Sequence, residues 1–243
     1  MKKLDPKNLP KLNKKRLEYY KFYAEEYYNS SFRENQGTEE ILQLLSSYKD
    51  GGKWLDVGSG TCTLFWAMAL DRITDITCSD MYPEAHKILI DYLEKKGVPK
   101  CYTEASKILG LNIKNSQKYK KLISNFVLFD ALKKWPVRLK KEQYDIITCF
   151  GVFGLSKTVE EYIKCFSYFK NVLSKKAIII GANWKRSKFF VKTNGGSNSY
   201  LSTKLIKEAA FRYKYEIVFL KEKQIIGDPN YDSVIIWALR QRT

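Results

Sequence analysis

The chain has 243 residues, of which 44% are hydrophobic, with 13 glycines and 6 prolines. This composition excludes a disordered chain and suits one sizeable α/β domain. No run of residues approaches the roughly 18 apolar positions that a membrane-spanning helix needs, and the basic N-terminus has no apolar signal-peptide core. We therefore predict one cytoplasmic domain over residues 1–243, a monomer with no membrane partner.

The formal net charge is +17, from 43 basic and 26 acidic residues. A basic surface sometimes marks nucleic-acid binding. Here the lysines are spread along the whole chain, which is more typical of a solvated surface, so a nucleic-acid partner is an alternative that we do not favour. Five scattered cysteines without a CxxC pair, together with a single histidine, indicate reduced thiols and no metal site.

In chain order, the first predicted element is a tyrosine-rich amphipathic helix from Leu17 to Asn29, followed by a helix that begins at Thr38. We interpret residues 1–50 as an N-terminal helical lid. Strands and helices then alternate, which implies a mostly parallel sheet covered on both faces. The predicted strands are Lys53–Val57, Asp75–Ser79, Ile123–Leu128, Tyr144–Cys149 and Ala177–Ala182.

The remaining segments have other patterns. Residues 97–121 are polar and rich in lysine, and we interpret them as an insertion. Apolar residues on both sides of Asn194-Gly195-Gly196 predict a hairpin insertion over residues 187–200. The last two strands are separated by a short turn at Gly227–Asn230, which predicts that they are antiparallel neighbours.

The stretch "KWLDVGSGTC" carries the main chemical signal. A buried strand ends in Gly58-Ser59-Gly60, a turn that we expect to place unpaired backbone N–H groups at the carboxyl edge of the sheet. Asp80 follows the next strand, 20 residues after Gly60, where a carboxylate is suited to accept hydrogen bonds from both hydroxyls of a ribose. This spacing predicts a nucleotide-type site.

Two cofactor classes use such a site. A dinucleotide fold requires a third glycine where this chain has Thr63, and Asp56 precedes the turn. A carboxylate at that position disfavours a pyrophosphate but suits a ligand with an ammonium and a sulfonium group, namely S-adenosylmethionine. Asp130, after a third strand, is then expected beside the adenine amino group.

On these residues the chain resembles the class I S-adenosylmethionine-dependent methyltransferases. Within that class it is similar to the nicotinamide, phenylethanolamine and thioether/amine N-methyltransferase family. The segments that carry the resemblance are "FYAEEYY", "LDVGSGT", "CSDMYPEAHKILIDYLEKK", "FDALKKWPV", "YDIITCFGVFGLS" and "IIIGANWKRSKFF". The resemblance implies a Rossmann-like, seven-stranded, mostly parallel sheet with an antiparallel last strand.

The same resemblance implies roles for individual residues. Tyr23 and Tyr28 would close over the cofactor, Asp80 would hold the ribose, Asp130 and Ala131 the adenine, and Cys149 and Phe150 the floor under the methyl group. The full predicted cofactor set is Tyr23, Tyr28, Asp56, Gly58, Ser59, Gly60, Thr63, Asp80, Met81, Asp130, Ala131, Cys149 and Phe150.

The acceptor side departs from the family pattern. Family members carry an acidic residue where this chain has Asn183, Lys185 and Arg186, which predicts an anionic group on the acceptor; solvated side chains are the alternative. We also assign Tyr19 to the acceptor. Asp228, or Asp232 if the alignment slips, matches a carboxylate that would help the amine lose its proton, and we name Tyr23 and Asp228 as catalytic. We expect His86 to be a packed helix residue.

These observations predict an enzyme that transfers a methyl group from S-adenosylmethionine to an amine nitrogen of a small molecule, such as an amino acid, and releases S-adenosylhomocysteine. A methyltransferase that acts on RNA through the basic surface near Lys114–Lys121 is the alternative. A non-catalytic domain with the same fold is a third interpretation, disfavoured by the intact cofactor positions.

Overall fold

The computed structural model describes residues 2–141 and 143–242, which form two compact units. The first unit comprises residues 2–34 and Leu42–Phe129, and the second comprises Asn35–Ile41 and residues 130–242. Within these described residues each unit contains four strands.

In the first unit the strand order is β1-β4-β3-β2. Strands β2, β3 and β4 are parallel, and the short β1 pairs antiparallel with β4. The strands are β1 (Lys2–Leu4), β2 (Gly52–Val57), β3 (Ile73–Asp80) and β4 (Ile123–Leu128). The helices are α1 (Lys14–Tyr28), α2 (Thr38–Ser47, whose first turn belongs to the second unit), α3 (Thr63–Trp66), α4 (Pro83–Glu94), α5 (Lys100–Leu109) and α6 (Lys114–Tyr119).

In the second unit the order is β5-β6-β8-β7, with β5 parallel to β6 and β8 antiparallel to both of its neighbours. The strands are β5 (Tyr144–Phe150), β6 (Leu173–Arg186), β7 (Tyr215–Gln224) and β8 (Tyr231–Gln241), and the helices are α7 (Val159–Cys165), α8 (Lys188–Asn194) and α9 (Thr203–Arg212). The predicted α/β class, mostly parallel with an antiparallel last strand, is confirmed. Strand β1 is additional to the seven predicted strands.

The prediction of a hairpin over residues 187–200 is wrong, because the segment begins with helix α8. The Ser187 hydroxyl caps this helix by accepting a hydrogen bond from the Phe190 backbone N–H at 3.0 Å. Gly195, at φ +73°, ends it by donating its N–H to the Val191 carbonyl at 2.9 Å. A glycine with positive φ terminates helices as readily as it starts hairpin turns, so the sequence signal was ambiguous.

Residues 97–121 are not a wholly polar stretch, because they form α5 and α6 with a buried face that includes Cys101, Tyr102, Ala105 and Tyr119. The Tyr119 hydroxyl accepts a hydrogen bond from the backbone N–H of Ile73, the first residue of β3. The lysine-rich end of this segment therefore lies at the edge where the parallel strands begin. The glycine turn lies at the opposite edge, where β2 ends.

In the described part of the chain, no helix is both long and apolar enough to cross a bilayer. Within the same residues no cluster of three or more His, Cys, Asp or Glu side chains is arranged to hold a metal ion. All five cysteines are buried, and none of them forms a disulfide.

Candidate active site

The glycine turn joins the end of β2 to the region before α3. Gly58 and Gly60 have φ values of +66° and +52°, a conformation that favours glycine. The Ser59 N–H donates to the Ser79 carbonyl at 2.8 Å, and the Gly60 N–H donates to Asp80 Oδ2 at 3.1 Å. The prediction of unpaired N–H groups is wrong for these two residues, because the end of the adjacent strand β3 supplies their acceptors.

Asp80 is the central group of this turn. Its side chain is nearly buried, and Oδ1 accepts the Tyr82 N–H at 3.0 Å. Burial raises the pKa of the carboxyl group, and hydrogen bonds from the N–H groups of Tyr82, Gly60 and Met81 and from the Tyr20 hydroxyl offset part of that rise. Tyr20 was not among the predicted site residues; its only signal was a position three residues before Tyr23 on the same helix.

Asp56 and Thr63 lie beneath the turn rather than at its surface. Both are buried, and the Thr63 hydroxyl donates to Asp56 Oδ2 at 2.6 Å. This bond joins the penultimate residue of β2 to the first residue of α3, and it fixes the two ends of the glycine turn. Direct contact of these side chains with a cofactor stays a prediction.

Two buried hydroxyl groups at the turn have no protein partner. Neither Ser59 Oγ nor Thr61 Oγ1 hydrogen-bonds to any described residue. A Cβ atom placed on Gly60 would meet no described heavy atom within 4 Å. Unsatisfied buried hydroxyls beside open space fit a polar ligand, because such groups are normally hydrogen-bonded.

The tyrosines of α1 pack together and against α3. The ring centroids of Tyr23 and Tyr28 are 5.8 Å apart, and that of Tyr28 is 5.3 Å from Phe65. The Tyr28 side chain is hydrogen-bonded to Tyr23 and to the Cys62 thiol. Burial, followed by the charge of Asp56, raises the pKa of Cys62 to about 12, so this thiol stays protonated. Cys62 was not predicted as a site residue, although it lies only two residues after Gly60.

Two other predicted residues of the first unit face solvent. Tyr19 is 60% exposed and stacks on Tyr23 with centroids 6.3 Å apart, and Met81 is 49% exposed.

His86 is fully buried in α4, where Nε2 lies 3.4 Å from the Val127 carbonyl. Burial lowers the pKa of His86 to about 4, which agrees with its expected packing role.

In the second unit, Asp130 and Ala131 follow the end of β4. Asp130 Oδ1 accepts the Leu132 N–H at 3.0 Å, and Oδ2 lies 3.6 Å from Lys133 Nζ. The Ala131 carbonyl accepts the Trp135 indole N–H at 3.0 Å. These bonds fix the shape of the loop; the roles of its residues toward adenine stay predictions.

Cys149 and Phe150 are the last two residues of β5. Cys149 is fully buried, and Phe150 is partly exposed opposite Ala182 of β6. One residue beyond Ala182, Asn183 is also fully buried. Its Oδ1 accepts hydrogen bonds from the Tyr162 hydroxyl at 2.7 Å and from the Trp237 indole N–H at 3.2 Å. The Asn183 oxygen therefore hydrogen-bonds to buried residues in the core of this unit.

Lys185 and Arg186, the last two residues of β6, have different surroundings. The Arg186 guanidinium donates to the Gly196 carbonyl and lies over the Phe190 ring, 5.1 Å from its centroid. It therefore holds the segment after α8. Lys185 is half-buried and has no ion pair with a described residue.

The two candidate acidic residues lie around the turn before β8. Asp228 Oδ1 accepts the Asn230 N–H at 2.7 Å, which shapes the turn, and Asp232 is exposed. The assignment of Asp228 to the acceptor amine stays a prediction.

No protein-family model matches the chain, and no curated protein matches it in sequence. Solved structures share its fold. The N-methyltransferase NodS from Bradyrhizobium japonicum WM9, in complex with S-adenosylhomocysteine, is 14% identical with a TM-score of 0.57, over 94% of this chain and 98% of its own. A SAM-dependent methyltransferase from Geobacter sulfurreducens, also in complex with S-adenosylhomocysteine, is 14% identical with a TM-score of 0.54, over 96% of this chain and 100% of its own.

The [4+2]-cyclase SpnF is similar to the same degree, with 14% identity and a TM-score of 0.56 over 89% of this chain and 87% of its own. At this identity the likeness shows the fold, which is that of class I methyltransferases. Because a cyclase has the same fold, the reaction has to be argued from the site. The narrower resemblance to nicotinamide and phenylethanolamine N-methyltransferases stays a prediction.

Proposed function

We propose that this protein is a methyltransferase that uses S-adenosylmethionine and methylates an amine nitrogen of a small molecule bearing an anionic group. The observation that carries the proposal is the bond between Asp80 at the end of β3 and the N–H of Gly60 in the turn after β2. This bond holds a buried carboxylate beside a glycine turn at the carboxyl edge of parallel strands, where nucleotide ligands bind in open α/β sheets.

The residues of the first unit fit such a cofactor. Asp80 would accept hydrogen bonds from the ribose hydroxyls, one of which would replace the Tyr20 hydroxyl that now donates to it. The buried hydroxyls of Ser59 and Thr61, which have no hydrogen-bond partner among the described residues, would be available to the polar groups of the cofactor. When bound, S-adenosylmethionine supplies a methyl group already activated by its sulfonium. The tyrosines of α1 would exclude water from that group.

Because the donor is already activated, the protein has chiefly to orient a neutral acceptor and exclude water. Such positioning is worth roughly 7–11 kcal/mol of the barrier. An amine reacts only after it has lost its proton, so a carboxylate such as Asp228 would take up that proton. Lys185 is the better candidate for pairing with an anionic group on the acceptor, because Arg186 is already bonded to Gly196.

The test is a methyl-transfer assay with pairs of amines that differ only in a carboxylate. We expect the wild type to prefer the carboxylate-bearing member and Lys185→Gln to lose that preference by raising KM. Lys188→Gln is the matched control, since Lys188 is an exposed neighbour on α8. If the wild type methylates both members of a pair equally well, the acceptor does not need an anionic group. If the wild type methylates no amine, the proposed amine acceptor is wrong.

The alternative, methylation of RNA, receives less support. The segment near Lys114–Lys121 lies at the edge where β3 and β4 begin, away from the glycine turn of the same unit. Contacts at that edge would not by themselves place a base beside Gly60. Transfer of label to RNA but to no small amine in the same assay would reverse this ranking.

A further inference from the structure

A large groove in the second unit is bordered on one side by the residues that directly follow Asp130 and Ala131. Its volume is about 900 Å³, at the upper end of the roughly 300–1,000 Å³ typical of ligand pockets. Two segments line it, residues 132–135 after the Asp130 loop and residues between Lys157 and Val172 around α7. We call it the lysine groove, after Lys133, Lys134, Lys157 and Lys164 in its lining.

The charges of the lysine groove are unbalanced. Lys134, Lys157 and Lys164 are exposed and have no ion pair with a described residue, whereas Lys133 lies 3.6 Å from Asp130. One of the two glutamates of the lining is offset by an ion pair, since Glu160 lies 2.8 Å from Arg212. Glu161 accepts the backbone N–H of Lys157 at 2.6 Å, a neutral donor that does not offset its charge. Three ammonium groups from both lining segments therefore face one carboxylate, and the lining has an excess of positive charge.

The base of the groove is aromatic. Tyr168 is partly exposed, and its ring centroid lies 6.2 Å from that of the buried Trp135, which supports it from one side. Ser167, Thr158 and Asn171 add neutral hydrogen-bonding groups to the lining. Proteins that bind single-stranded nucleic acid combine lysines with exposed aromatic rings. The positive charges contact the phosphate backbone, and a base stacks on the ring.

We propose that the lysine groove binds single-stranded RNA or DNA as a site separate from methyl transfer. An acidic peptide would satisfy the lysines but has no base to stack on Tyr168. A lipid surface is flat and does not enter a concave groove.

The test measures binding of a fluorescein-labelled single-stranded oligouridylate by anisotropy over a range of salt concentrations. The groove variant is Lys134→Gln with Lys164→Gln. The matched control is Lys49→Gln with Lys107→Gln, two exposed lysines of the first unit with the same loss of charge. If both groove lysines contact phosphates, the slope of log K against log salt falls by about 1.4, and affinity at 0.1 M salt falls about 25-fold. The control should change less than about twofold.

The aromatic part is tested without a change of charge. Tyr168→Leu should weaken binding about fivefold or more, and Tyr168→Phe should bind as the wild type does. Thermal melting checks that each variant is folded. Equal losses in the groove and control variants, no binding by the wild type, or tighter binding of polyglutamate than of oligouridylate would each overturn the proposal. The same variants should bind S-adenosylhomocysteine with the affinity of the wild type. A failure of the nucleic-acid proposal is therefore distinguishable from a failure of the proposed methyltransferase function.

Discussion

His86 should make the stability of this protein depend on pH in a way that a single substitution removes. It is the only histidine of the chain. It is fully buried against Phe126, with ring centroids 5.2 Å apart. Nε2 lies near the Val127 carbonyl, and Nδ1 has no hydrogen-bond partner among the described residues. A second proton would therefore create a buried donor without an acceptor.

The size of the effect follows from the two pKa values. Burial lowers the pKa of His86 to about 4 in the folded state, whereas an unfolded histidine titrates near 6.5. Between these values the unfolded chain takes up a proton and the folded chain does not, so stability is lost as the pH falls from about 6.5 to about 4. At ~1.4 kcal/mol per pH unit the full loss is about 3 kcal/mol, a large part of the roughly 5–15 kcal/mol of a typical domain.

The assay is urea unfolding of the wild type and His86→Gln between about pH 7.5 and about pH 4.5. Glutamine keeps an N–H donor for the Val127 carbonyl but does not titrate. The carboxylates titrate in both proteins and cancel in the difference. We expect the wild type to lose about 1 kcal/mol relative to the variant between pH 6.5 and pH 5.5, because the unfolded histidine is only half protonated at the upper pH. A constant difference over that range, or an NMR titration midpoint of the histidine near 6.5, would refute the reasoning.

Three further substitutions test the second unit by urea unfolding. Gly181→Ala should cost about 1–3 kcal/mol or more, because a Cβ at this position would lie 2.1 Å from the Trp237 ring; wild-type stability would contradict the packing of β6 on β8. Ser187→Ala should cost ~1 kcal/mol by removing the cap of α8, whereas no effect would favour the hairpin over the helix. Tyr162→Phe should cost about 0.5–1.5 kcal/mol, since the buried Asn183 oxygen loses its 2.7 Å hydrogen bond but keeps the one from Trp237; a neutral change would mean that the Tyr162 bond is not formed.

The sequence predicted most of the fold because its strongest signals are local. Continuous apolar runs marked buried parallel strands, and Pro83 marked the first turn of α4. Strand β1 was missed because three residues carry no periodicity. The segment after Ser187 was assigned to the wrong element because Asn-Gly-Gly ends a helix as well as it turns a hairpin.

The candidate site was predictable in its glycine turn but not in its hydrogen bonds. Asp80 was identified by spacing, because 20 residues carry the chain from one strand end to the next. How α1 packs on the turn decides these bonds, so the Tyr20 hydroxyl that meets Asp80 and the Cys62 thiol that meets Tyr28 were missed. The chemistry of Arg186 was inferred from its charge alone, whereas tertiary contacts engage it with Gly196.

Calorimetric titration of the purified protein with S-adenosylhomocysteine tests the central claim most directly. We predict one site per chain, with affinity reduced roughly tenfold to 150-fold or more in Asp80→Ala, because a hydrogen bond to a charged acceptor is worth about 1.5–3 kcal/mol. Asp75→Ala is the matched control, since Asp75 lies near the opposite end of the same strand β3. Absence of binding by the wild type, or equal affinity in the wild type and Asp80→Ala, would contradict the methyltransferase proposal.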